Sequence, residues 1–281
     1  MSFNEFALAN EPAIRLAAFF GIFALMAAWE AAAPRRVRLH ARLQRWSANL
    51  GLVVFNTLLV RLLFPFAAVA FAVLATQRGW GLLNNLALPE WAALVLAVVA
   101  LDFAIYLQHV MFHAVPALWR LHLVHHADPD FDVTTGARFH PIEIILSMLI
   151  KFSVIAVLGA PAAAVLVFEV LLNATAMFNH ANLRLPAGVD AGLRLLLVTP
   201  DMHRVHHSME VAEANSNFGF NLPWWDRLFG TYRAAARLPQ ESMAIGVAGL
   251  TGDPRCVSLT GMLAIPFTND GNGYATGHEA R

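Results

Sequence analysis

The sequence predicts an all-α integral membrane protein, with about five transmembrane helices and a cytoplasmic helical cap that holds a histidine-rich dimetal site. Three observations lead there. Mean hydropathy is +0.56. Hydrophobic residues make up 58% of the chain and charged ones only 14%, against roughly 25% charged in a soluble domain. Ten of the twelve histidines fall between His109 and His207, in a chain with little other use for imidazole.

A spanning helix needs about 20 apolar residues. The first twelve residues are polar and acidic without a basic stretch, so the apolar run at 13–33 reads as an anchor rather than a signal peptide. It carries Glu30 near its end. Residues 50–76 fit a long or bent span interrupted by Arg61 and Pro65, and 91–112 a third span with Asp102 inside it. Residues 144–159 are short, and Pro161 separates them from 162–178. Those two form a hairpin of modest spans or a partly re-entrant pair.

The loop at 34–45 holds Arg35, Arg36, Arg38, Arg42 and Arg45, which the positive-inside rule places in the cytoplasm. The N-terminus is then outside, and every histidine group falls on the cytoplasmic side. From residue 181 the chain is less apolar and reads as a cap; 193–198 is too short to span, and the end of 252–281 reads as loose.

Eight histidines form three boxes: His109-Val-Met-Phe-His113, His122-Leu-Val-His125-His126 and His203-Arg-Val-His206-His207. Residues four apart on a helix share a face, so His109 and His113 reach a common point. In His-x-x-His-His the first imidazole lies one turn before a pair pointing roughly 100° apart, which lets one box feed two neighbouring metals. One metal takes about four protein ligands, so eight or more histidines point to two ions.

Imidazole suits zinc, copper, iron and nickel. The His-Glu-x-x-His pattern of a zinc protease is absent, and no carboxylate interleaves the boxes. A histidine-rich pair of irons beside a lipid-filled core suits oxygen activation, where the cofactor carries the hard chemistry. A zinc-dependent membrane hydrolase using the same cluster is the alternative; it would work without O2 or reductant. A metal transporter or sensor would need a polar path, for which Asp102, Arg61 and Glu169 are too sparse. Zero formal net charge gives no nucleic-acid footprint. The single Cys256 makes no internal disulfide and reads as an inert thiol. The chain has no dinucleotide fingerprint, haem-attachment motif or iron–sulfur cysteine set, so its electrons come from elsewhere.

The three boxes in this order resemble the fatty acid hydroxylase/sterol desaturase superfamily of membrane di-iron enzymes. So do Arg138-Phe139-His140-Pro141-Ile142-Glu143, Phe178-Asn179-His180, Thr199-Pro200-Asp201-Met202-His203-Arg204, Asn217-Phe218-Gly219 and the run from Trp225 to Tyr232. The likeness covers roughly residues 92–232 and is closest to bacterial members. It implies a mushroom-like fold, with residues 1–90 as anchor helices, 91–235 as the catalytic domain and 236–281 as a cytoplasmic tail. It implies hydroxylation or desaturation of a sterol, fatty acyl or related lipid drawn from the bilayer. O2 and two electrons are consumed, the electrons from a ferredoxin or a b-type cytochrome with its reductase. The expected place is a bacterial inner membrane.

The resemblance carries His109, His113, His122, His125, His126, His203, His206 and His207 over as ligands of two iron ions, which zinc can replace on isolation, with His180 as a ninth. Where some members have a further histidine, this chain has Ala176, which leaves that part of the shell thinner or water-filled. Asp102 is expected either to orient a ligand imidazole or to hold an interhelical hydrogen bond. His140, Glu143, Asn179, Asp201 and Asp226 are further candidates for supporting the ligands. Trp224 and Trp225 either lie at the membrane interface or pack the cap, and His40 and His278 are expected in solvent.

Overall fold

The computed structural model describes residues 3–268 and 274–275. Among them the chain is helical, with only two isolated bridges, Pro34 to Leu183 and Ser208 to Ile245. The helices are α1 (Phe3–Ala9), α2 (Glu11–Ala32), α3 (Arg42–Leu63), α4 (Ala68–Gln77), α5 (Glu90–Ala114), α6 (Pro116–His126), α7 (Pro141–Leu158), α8 (Ala162–Asn179), α9 (Ala187–Leu193), α10 (Pro200–His206), α11 (Val211–Ala214), α12 (Trp224–Leu228) and α13 (Leu259–Thr268).

Five stretches are long and apolar enough to cross a membrane: α2, α3 with α4, α5, α7 and α8. The break between α3 and α4 falls at Pro65, which removes a backbone donor and pushes the preceding residue out of the helical region; Phe64 has φ −112° and ψ 110°. α7 and α8 have 18 residues each and form a hairpin turned at Gly159, where φ is +69°. That glycine is required twice over. Its φ lies in the left-handed region that favours glycine, and a Cβ there would lie 2.6 Å from Trp80 O.

α8 is the centre of the bundle: 61% of its spanning window is buried, against 6% for α2. Small side chains let its neighbours approach, in a core that joins Ala72, Ala97, Ala163 and Ala164 to Ile155 and Phe168. The outward faces stay apolar, with Leu16, Phe20, Leu58, Leu62, Leu96 and Val157 exposed. Such a belt fits lipid and would be costly in water.

The α7–α8 turn and the end of α4 lie together, Leu82 N donating to Val157 O at 3.0 Å. The cap sits at the other end of the bundle, around a second core of Trp119, Leu123, Met262 and Ile265. Glu30, buried at the end of α2, accepts from Val133 N at 2.6 Å and Asn182 N at 2.8 Å. The arginine loop is built into the cap as well. Arg45, fully buried, grips Asp128 with two bonds of 2.8 Å and Asp132 with one of 2.5 Å. Burial alone would raise the Asp128 carboxyl, but Arg45 and Arg138 outweigh it and hold it at about 2. Arg35 bonds Asp201 and Glu241.

The two tryptophans of α12 lie against the bundle. Trp224 is 44% exposed near Leu228 and Phe229, and donates to Leu195 O. Trp225 reaches down to α5, donating to Asp102 Oδ2 at 2.7 Å.

Candidate metal centre

Four helix ends deliver the histidines. α5 brings His109 and His113 on one face, one turn apart. Val115, extended ahead of Pro116, ends α5, and α6 then carries His122, His125 and His126. His180 is the C-cap of α8. α10 starts at Pro200 after Thr199, whose hydroxyl accepts from Met202 N at 3.4 Å; it carries His203 and His206, with His207 as its C-cap.

These nine side chains converge, each no more than 6% exposed. They separate into two groups: His109, His113, His122, His126 and His206, then His125, His180, His203 and His207. Within each group the ligand atoms lie within 4.8 Å of one another, so each can hold one metal ion. The split runs through the second and third boxes, as the 100° offset of adjacent helical residues requires. His122 and His126 go to one group and His125 to the other; His203 and His207 go together and His206 apart.

The hydrogen bonds test whether a metal belongs there. His109 Nδ1 lies 2.8 Å from Phe218 O, His206 Nδ1 2.8 Å from Ser216 O, and His180 Nδ1 2.8 Å from Ala176 O. A carbonyl only accepts, so each Nδ1 carries the proton and each Nε2 is a bare lone pair. His122 Nδ1 donates to Glu143 Oε1 at 2.7 Å, and His113 Nδ1 to Asn215 Oδ1 at 3.1 Å. Asn215 is oriented by its own amide, which donates to Tyr274 O.

With the His122 proton on Nδ1 beside Glu143, His109 Nε2 and His122 Nε2 face each other as two lone pairs, 3.1 Å apart. Only a cation between them makes that arrangement favourable. A proton is a poor one, because burial and the neighbouring imidazoles push His122 well below the usual histidine range. Nitrogens each about 2.1 Å from one ion are about 3.0 Å apart when they meet at a right angle. The contacts fit: 3.2 Å for His113–His126, 3.2 Å for His125–His180 and 3.0 Å for His180–His203, all between Nε2 atoms. His206 Nε2 and both nitrogens of His207 are buried without a partner. The donor set fits metal ions.

Burial, then mutual repulsion, also pushes His125, His126, His203, His206 and His207 well below their usual range, and burial brings His180 to about 3. All six stay neutral near pH 7, the form a metal ligand needs.

The remaining predicted residues divide. Glu143 orients His122 directly. Asp226 acts at one remove: it accepts from Phe218 N and Gly219 N at 2.8 Å each, and so fixes the carbonyl that receives His109. Asp102 meets Trp225 rather than an imidazole, which is its interhelical alternative. Asn179 donates to Phe220 O, and Asp201 pairs with Arg35 and Arg204. His140 belongs to neither group: its Nδ1 caps α7 by accepting from Ile142 N at 3.2 Å. His40 is not simply solvated; it is half-buried, with Nδ1 3.5 Å from Asp130. His278 lies outside the described residues. Cys256 is buried, its thiol pushed up to about 11 by burial. At Ala176, the backbone carbonyl serves in place of a side chain.

Sequence reasoning missed Asn215 and the carbonyls of Ser216 and Phe218. Their loop is held by Asn217, which has φ +52° and whose amide donates to Met202 O and Arg233 O. Backbone acceptors leave no mark on residue identity.

A cavity of about 470 Å³ leads away from His109 and His122 into the bundle, between α3, α5, α7 and α8. Phe112, Phe139 and Phe220 wall it near the histidines, and Lys151 and Arg61 line it farther off.

The fatty acid hydroxylase family matches residues 94–231, the stretch that contains all nine clustered histidines. An ornithine lipid hydroxylase of Rhizobium tropici is 32% identical over 183 residues, covering 65% of this chain and 53% of that protein. An alkylglycerol monooxygenase of Homo sapiens is 30% identical over 141 residues, 49% of this chain and 30% of the other. A fatty acid hydroxylase of a Lecanicillium species is 28% identical over 170 residues, 56% and 46% respectively. The chain thus spans about half the length of the ornithine lipid hydroxylase and less of the others. No solved structure matches. The boxes, their buried convergence and the family match all fall on the same residues, so the segment 94–231 is a fatty acid hydroxylase family segment.

Proposed function

We propose that this protein is a membrane-bound di-iron oxygenase that hydroxylates or desaturates a lipid, using O2 and two electrons from a partner. One observation carries the reading: two bare imidazole nitrogens, on His109 and His122, face each other at the head of a largely apolar cavity. His109, His113, His122, His126 and His206 would hold one iron, and His125, His180, His203 and His207 the other. When bound, the irons supply the activation of O2 that an unactivated C–H bond demands.

The chain's own part is placement and exclusion. Phe112, Phe139 and Phe220 keep the approach dry and guide an alkyl chain to His109 and His122. Glu143 holds the His122 proton on Nδ1, so that Nε2 stays available. Substrate enters sideways from the bilayer, where an apolar ligand is already concentrated. The arginine loop lies at the same end as the histidines, so the positive-inside rule puts the centre in the cytoplasm, within reach of a ferredoxin or a b-type cytochrome and its reductase. A bacterial inner membrane is the expected setting, and residues 91–235 the part that carries the chemistry.

The test is elemental analysis of the detergent-purified protein beside His125→Ala and His206→Ala, followed by lipid turnover under O2 with a reductant. About two irons per chain, lost in part from each variant, with O2-dependent product, is the expected result. Turnover that needs neither O2 nor reductant would overturn it in favour of a zinc hydrolase.

A further inference from the structure

The cavity that starts at His109 and His122 ends against two cations. Lys151 and Arg61 line it together with Ser147 and Met148. Lys151 is already committed, its Nζ 2.5 Å from Glu169, which in turn binds Arg15 at 2.6 Å. Arg61 has no ion pair or hydrogen bond among the described residues, although it sits inside a stretch fit to span a membrane. A charged side chain at such depth is costly unless something pairs with it.

Its depth can be read from its neighbours. Asn56, five residues earlier on α3, donates to Phe139 O at the cap boundary. Phe64, three residues later, packs on Phe152 with ring centroids 5.4 Å apart. Arg61 therefore lies near the level of Lys151, close to the end of α3, and being both exposed and part of the lining it marks where the cavity meets the surface. Glu143, which holds His122, is eight residues before Lys151 on the same helix, or about 12 Å at 1.5 Å per residue. An extended chain covers about 3.5 Å in three bonds, so about ten bonds separate the two levels.

We propose that the cavity binds an amphiphile with an anionic group, a carboxylate or phosphate, seated on Arg61 at the opening beside α3, with Lys151 behind it. The apolar part runs up to His109 and His122, and the carbon presented there is about ten bonds from the anion. A guanidinium offers a rigid two-pronged donor that matches either oxyanion, and Lys151, its charge balanced by Glu169, keeps further N–H donors at the same floor. The inference deepens the lipid-oxygenase reading and rests on it for the place of reaction, but the binding step does not depend on metal.

The experiment measures binding of tetradecanoate, tetradecyl phosphate and tetradecanol to the full chain in a neutral detergent, with and without metal, beside Arg61→Gln. Arg61 is exposed on the helix surface, so the variant should fold; thermal unfolding of the purified protein checks this. Both anions should bind about tenfold tighter than the alcohol, as expected for hydrogen bonds to a charged group, and Arg61→Gln should erase that preference. The carboxylate and phosphate arms tell which oxyanion is favoured. Equal binding of alcohol and anions, or a preference that survives in Arg61→Gln, overturns the proposal; the latter would mean that Arg61 only reaches for bulk lipid headgroups. In turnover, oxidation within three or four bonds of the anion would also overturn it. Absence of any turnover, with the binding preference intact, would count against the oxygenase reading alone.

Discussion

In the five-histidine group, four imidazoles are tied from behind: His109 to Phe218 O, His113 to Asn215, His122 to Glu143 and His206 to Ser216 O. In the four-histidine group only His180 is tied in that way, to Ala176 O. His125 Nδ1, His203 Nδ1 and both nitrogens of His207 are buried without partners. The groups share a residue type and a degree of burial, yet one is pre-oriented and the other is held mainly by packing, such as the stacking of His125 on Phe139 at 4.5 Å. Fixing the outer nitrogen sets the tautomer and the ring direction of a ligand. The pre-oriented group is also the one whose His109 and His122 border the cavity. The difference suggests that the geometry beside substrate is the more tightly specified, and that the ion farther from it is the more easily lost.

The largest effect should come from removing one ligand on each side. His206→Ala and His125→Ala should each lower activity below detection while leaving membrane insertion intact. A chelator should strip the remaining ion quickly from His206→Ala and slowly from His125→Ala. Equal rates in the two variants would break the comparison.

Acid should act nearly as strongly on the metal-free protein. Seven buried imidazoles outside the spanning helices, His122, His125, His126, His180, His203, His206 and His207, are held below their unfolded range by burial. Below about pH 6.5 the unfolded chain therefore binds more protons than the folded one, at a cost on the order of 1.4 kcal/mol per histidine per pH unit. Stability should be flat above that pH and fall steeply as pH drops through it, while metal-loaded protein resists until protons displace the ions. Thermal unfolding from pH 8 to 5, with and without metal, checks this; parallel curves would mean that the histidines are not buried neutral.

How much of this was legible from residues alone depends on the kind of contact. The boxes gave eight of the nine histidines, because helical spacing maps directly onto faces, the resemblance gave His180, and apolar run length gave the five spans. The break at Pro65 and the α7–α8 hairpin were readable for the same reason. Glu143 and Asp226 stood out only as charges near motifs, and their partners appear once α7 and the 215–231 loop fold back on α5 and α6. Asn215 had no signal, since an exposed-looking asparagine gains its meaning from Tyr274 and His113, neither near it in sequence. The arginine loop was read for charge alone, and its buried clasp on Asp128 and Asp132 was invisible because ion pairing depends on tertiary approach.

Glu143→Gln sharpens the comparison at a smaller scale. It keeps shape and one acceptor oxygen but replaces the carboxyl that meets His122 Nδ1 with an amide. Loss of such a partner typically weakens metal affinity about 10–100-fold. The loss should be confined to the five-histidine group, so in metal titration its step should weaken while the four-histidine step, the one that vanishes in His125→Ala, stays where it is. A uniform loss at both sites would mean that Glu143 supports the cap as a whole.

Trp225→Phe should have the smallest effect, and it separates scaffold from site. The indole donates to Asp102, which is 2% exposed within α5. Phenylalanine keeps much of the ring contact with Phe103 at 4.7 Å but leaves that carboxylate short of a donor, a loss of about 1–3 kcal/mol. Because Asp102 touches neither histidine group, the variant should unfold at lower temperature and bind both ions with unchanged affinity. If its metal affinity fell selectively at the five-histidine group, then the pre-orientation of His109 and His113 would begin two turns below them on α5, and the rigid half of the centre would extend deeper into the membrane than the hydrogen bonds around the imidazoles indicate.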